Sequence, residues 1–160
     1  MIAKLLQSGV NIFRDEKKNL CIQMVAFVIL PILYLVFLNI NAVVLGQSIG
    51  DILQKSATEC LNMILMFASL YSGYIVWAYF KNQASRFTMM SYGIVFVTQV
   101  VQKNVITLAI MIFYLYQFVG FHGIKQRWQE AKWEKGILTI PAALLVLLVS
   151  AGVIFVRTRL

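Results

Sequence analysis

From Ile137 to Val156 the chain reads ILTIPAALLVLLVSAGVIFV, about twenty successive residues without a charge. At roughly 1.5 Å per residue, that is the length of helix needed to cross a hydrocarbon layer of about 30 Å. Comparable runs lie at Leu20–Ile40 and Leu61–Phe80, and a longer, interrupted one at 87–124. In lipid, backbone N–H and C=O groups have to be satisfied within the segment, so these runs predict helices. A soluble globule of 160 residues has too much of its volume near the surface to hide them all. Composition agrees: 61% of residues are hydrophobic, 12% are charged and the mean hydropathy is +0.80. Soluble domains are roughly 45–50% apolar and about 25% charged. The expected fold is all-α, a polytopic membrane helical bundle with four transmembrane helices plus short amphipathic helices. It forms a single membrane domain over residues 1–160.

Residues 1–19 read as an amphipathic, basic N-terminal segment. Ile2, Leu5, Leu6, Gly9, Val10 and Phe13 make one apolar stripe suited to a membrane surface, and RDEKKN follows. Arg14, Lys17 and Lys18 precede a run long enough to span, which predicts a retained anchor rather than a cleaved signal. The first span is expected at about 20–40, with a kink at Pro31. Residues 41–58 are too polar to span, and DILQKSATE suits a short helix. The second span, about 61–80, carries Ala68, Ser69, Ser72 and Gly73 on one side. Small side chains let a neighbouring backbone come close, so these four are the candidate helix-packing face and a candidate surface for self-association.

The stretch 87–124 admits three readings. The first places the third span at about 104–124, with 88–103 as an amphipathic or tilted extension of it. The second is one long tilted helix with Lys103 inside the bilayer, and the third is a re-entrant hairpin turning at Gln102–Asn104. The linker KQRWQEAKWEK at 125–135 suits the headgroup layer, and the last span is expected at about 136–156.

The formal charge of +8 and pI near 9.7 fall mostly in segments between apolar runs. That distribution points to anionic lipid and retention in the cytoplasm rather than to nucleic acid, since no zinc-finger spacing or continuous basic face accompanies it. With four crossings, one side holds Lys4, Arg14, Lys17, Lys18, Lys81, Arg86, Arg157 and Arg159. The other holds Lys55, Lys125, Arg127, Lys132 and Lys135. The excess predicts a multi-pass protein of the cell membrane with both termini in the cytoplasm.

Chemistry-bearing residues are few. Lys103 with Gln99 one turn before it, Thr107 one turn after it and Gln102 beside it makes a candidate pore or polar strip. Gln117, His122, Trp128 and Trp133 are expected at the membrane interface. The predicted spans contain no Asp or Glu, which counts against proton relays and acidic cation filters. Cys21 and Cys60 start runs that enter from opposite faces, so a disulfide between them is not expected. No HExxH, GxSxG, Walker or CxxC motif is present, and neither an enzymatic activity nor a cofactor or metal is expected. The pattern best suits a non-enzymatic, self-associating membrane subunit that anchors or senses within a transport-accessory, secretion or defence assembly. Its expected partners are lipids, further copies of the chain and a cytoplasmic or membrane protein. A small oligomeric transporter using the Lys103 strip is the alternative, and a membrane enzyme comes third.

Overall fold

A computed structural model describes residues 15–159, with Phe121 and His122 described in their backbone alone. The N-terminal stripe before Asp15 and the side chain of His122 therefore lie outside the described residues. The first helix, α1 (Glu16–Leu45), begins where the Asp15 carboxylate accepts the Lys17 and Lys18 N–H groups at 2.9 and 3.4 Å. It continues through Pro31 and stops at Gly46, whose left-handed φ of 60° closes the last turn. Thirty residues rise about 45 Å, so the helix exceeds the hydrocarbon thickness.

A short helix α2 (Ile49–Lys55) opens with a capping box. The Ser48 hydroxyl accepts the Asp51 N–H, while the Asp51 carboxylate accepts from the Ser48 amide at 3.0 Å and from its hydroxyl at 2.7 Å. Those two bonds hold the Asp51 carboxyl below the usual aspartate range. A lowered pKa stabilises the folded form above the ordinary aspartate pKa. The contribution is lost as pH falls through the lowered value.

The chain returns in α3 (Ala57–Lys81), capped by Ser56, and runs out again in α4 (Arg86–Gln102). There the expected extension of the third span does not form. Lys103 takes a left-handed φ of 54°, its N–H and that of Asn104 close on the last carbonyls of α4, and the Asn104 side chain caps α5 (Val105–Tyr114). One helix stops and another starts within three residues, so 88–119 folds back as a hairpin turning at Gln102–Asn104. Seventeen residues of α4 rise about 25 Å, short of a full hydrocarbon crossing. A π-helical turn (Leu115–Val119) follows α5, then α6 (Gly120–Glu130) and α7 (Thr139–Arg157).

The product is an all-helical bundle. By length and composition α1, α3 and α7 could each cross a membrane; 105–119 with 123–130, bent by 77°, would count as a fourth span only if the bent pair crossed as one. The core lies where α1, α3, α4, α5 and α7 meet, around Leu20, Phe27, Ile75, Val76, Tyr79, Tyr92, Val95, Met111, Tyr114 and Ala143. The fold-back also moves the 125–135 linker. Expected on the opposite side from the 81–86 turn, it instead lies against it, with the Lys132 N–H on the Ala84 carbonyl at 2.9 Å and the Arg86 N–H on the Lys132 carbonyl at 3.0 Å. The reason is parity: a chain that goes in along α4 and returns along α5 comes back to the end it left. Arg157 sits at the far end, beside the Gln102–Asn104 turn.

Lys103 bears the cost of that turn. A non-glycine residue in the left-handed region costs about 1 kcal/mol or more, and glycine relieves it. Lys103→Gly is therefore expected to raise stability by about 0.5–1 kcal/mol, read from unfolding in mixed micelles. Loss of stability would show that the lysine side chain, rather than the backbone turn, matters at this position.

Candidate functional site

The polar side chains gather at two places. The first is the hairpin tip. Gln99 is fully buried, and its side-chain oxygen accepts the Thr107 hydroxyl at 2.8 Å across the hairpin. The Gln102 amide donates to Ser150 of α7 at 2.7 Å, and Ser150 donates in turn to the Val146 carbonyl. Lys103 stands exposed at the turn. The four residues of the expected strip are thus divided: Gln99 and Thr107 join each other, Gln102 joins α7, and Lys103 points to none of them. Bonds of this kind fix helices against one another within apolar surroundings. The Gln99 Nε2 is buried without a partner among the described residues.

The second place is the opposite end, where α1 and α7 begin. Arg127 of α6 donates to the Glu16 carboxylate at 2.7 and 3.4 Å, and its second nitrogen also donates to the Phe118 carbonyl at 3.1 Å. That carbonyl belongs to the π-helical turn, which displaces it from the regular helical ladder. Tyr114, fully buried, donates to Glu16 at 2.8 Å and lies 3.3 Å from the Tyr79 hydroxyl. Tyr79 packs on Tyr92 with centroids 4.7 Å apart. The Tyr92 hydroxyl donates to Gln23, whose amide donates to Asn19. Glu16 and Arg127 are each 29% exposed at the side chain, so the pair sits at the rim and the tyrosines carry the network inward.

Outside this cluster lies a basic, aromatic face. The Arg86 guanidinium stands 5.5 Å from the ring centres of both Trp128 and Trp133, and Phe87 meets Trp133 edge-on at 4.9 Å. Both indoles are partly exposed at the end of the bundle, and Gln117 is exposed on the π-helical turn. The small-residue face lies within the chain. Ala68, Ser69, Ser72 and Gly73 are all buried, with Ser69 donating to the Phe27 carbonyl at 3.4 Å.

Sequence reasoning missed Glu16, Arg127, Tyr79 and Arg86 as a constellation. In the sequence Glu16 belongs to the polar RDEKKN lead before the first span, yet α1 starts there. Arg127 read as one cation among several in a headgroup linker. The two are 111 positions apart, and no periodicity links them. Among the described residues, no group of three or more His, Cys, Asp or Glu side chains is arranged to hold a metal ion. Comparison with protein-family models, curated proteins and solved structures finds no match.

Proposed function

We propose that the chain is a non-enzymatic membrane subunit that anchors or senses within a larger assembly, working through the face built from the 81–86 turn, α6 and the 131–135 linker. The observation that carries this reading is the bracing of that face. Arg127 ties α6 to Glu16, Arg86 stands against two neighbouring indoles, and backbone bonds join the linker to the turn. A braced surface loses less conformational freedom on docking than a free loop does. By contrast, Gln99 and Thr107 of the hairpin bond each other and Gln102 bonds Ser150 of α7, which suits a packed bundle better than a pathway.

The end bearing Glu16 holds Lys17, Lys18, Lys81, Arg86, Lys125, Arg127, Lys132 and Lys135 among the described residues. The far end holds Lys55, Lys103, Arg157 and Arg159. This imbalance supports a cytoplasmic position for the Glu16 end, with Arg157 facing the other side. On this reading the end of α7 lies across the membrane from the start of α1, which differs from the expected pair of cytoplasmic termini. Because Ser69 and Gly73 are occupied by α1, self-association would have to use another surface.

In mildly solubilised native membranes the chain is expected to migrate in an assembly well above its own 18.2 kDa. Charge reversal at Lys125 and Lys132 should release it, whereas Lys103→Ala should leave the assembly intact. Flux through liposomes holding the purified chain alone, abolished by Lys103→Ala, would replace this reading with the transporter.

A further inference from the structure

A recess of about 280 Å³ opens between the 81–86 turn and the 131–135 linker, lined in part by Lys81, Asn82, Ser85, Lys132, Glu134 and Lys135. Three ammonium groups stand against one carboxylate, and Glu134 is 3.8 Å from Lys132. The lining is therefore cationic by two charges, three less one. Its backbone is fixed from both sides: turn and linker exchange two N–H bonds, and the Ser85 hydroxyl donates to the Lys135 carbonyl. The lysines project from a braced frame rather than from a free loop.

Depth supplies the second argument. Phe87, Trp128 and Trp133 form a ring cluster beside the recess, and indoles concentrate at the headgroup level of a bilayer. Below it, Met90 and Val97 expose an apolar strip along α4 on which acyl chains can lie. A cationic recess above an apolar strip has the layout of a phospholipid, with its headgroup phosphate outward and its chains inward. We infer that the recess binds the phosphate-bearing headgroup of an anionic phospholipid. The inference needs the membrane placement alone and stands whether or not the face also docks a protein.

The test places the full chain in bilayer discs of phosphatidylcholine, carrying brominated phosphatidylglycerol or brominated phosphatidylcholine at the same mole fraction. Trp77→Phe leaves Trp128 and Trp133 as the indoles read by quenching. Phosphatidylglycerol should quench more strongly. The combined K81Q, K132Q and K135Q variant should lower its preference over phosphatidylcholine by about tenfold or more, since roughly two- to fivefold per basic residue near an anionic surface compounds over three. Glu134→Gln should raise the preference about two- to fivefold. K55Q with K103Q, at the far end, should change nothing. Equal quenching by the two lipids overturns the proposal, as does a preference unmoved in the triple variant. Displacement of phosphatidylglycerol by inorganic phosphate would assign the recess to a soluble anion and equally overturn it. Should the triple variant lose its helical circular dichroism, Glu134→Gln decides: an unchanged preference there rejects the site.

Discussion

Gly73→Leu is expected to destabilise the bundle by about 3 kcal/mol, the upper range for overpacking a close contact. A Cβ at residue 73 would stand 3.1 Å from the Phe27 Cβ, tighter than ordinary packing allows. Phe27 is itself fully buried and cannot swing into lipid without emptying the core. Gly73→Ala asks only a few tenths of an ångström of α1 and should cost about 1 kcal/mol. Leucine has to push α1 and α3 apart along their length. The separation should propagate to the Ser69–Phe27 bond at 3.4 Å and loosen the Tyr92–Gln23 bond nearby. Unfolding by a denaturing detergent in mixed micelles reads the series. A leucine variant as stable as the unaltered chain would mean that the two helices do not meet there.

Arg127→Met carries the second large effect, expected at about 2–3 kcal/mol. Removing one partner of a partly buried pair leaves the other without its counter-charge, which costs more than the pair itself contributes. Glu16 would retain the Tyr114 hydroxyl but lose both guanidinium contacts. The damage should be local: protease cleavage across 120–135 rises while α3 and α7 stay protected. Glu16→Gln together with Arg127→Met removes the stranded charge, so the double variant should recover at least half of the loss. If the double variant is as unstable as the sum of the two single ones, the residues act independently and the clamp is not a unit.

The long apolar runs made α1, α3 and α7 legible, because length and lack of charge suffice to place a helix in lipid. Their ends were less so. The Asp15 cap starts α1 four residues before the expected Leu20, and this brings Glu16 into the bundle. The sequence leaves the hairpin as one of three readings because Lys103 does what glycine ordinarily does at a helix end, and a lysine in the left-handed region has no sequence signature. The Asn104 cap, with Thr107 three residues on, was the local signal that a new helix begins there. The polar strip was legible as residue types on one face of a single helix. Once the chain folds back, Gln99 and Thr107 face each other instead. The Glu16–Arg127–Tyr114 cluster depends on contacts about a hundred positions apart and on a π-helical turn, neither of which a local pattern encodes. Likewise the small residues at 68–73 announced a close approach but not whether the neighbour was another copy or this chain's own α1.

Maleimide labelling in intact cells tests the fold-back most directly. With Cys21 and Cys60 replaced by serine, single cysteines at Gln83, Glu130 and Arg159 report the turn, the linker and the end of the last helix. A membrane-impermeant reagent should reach position 159 from outside. Positions 83 and 130 should label together, and only after permeabilisation. Labelling of 83 and 130 from opposite sides would contradict the hairpin at Lys103 and the shared face built on it.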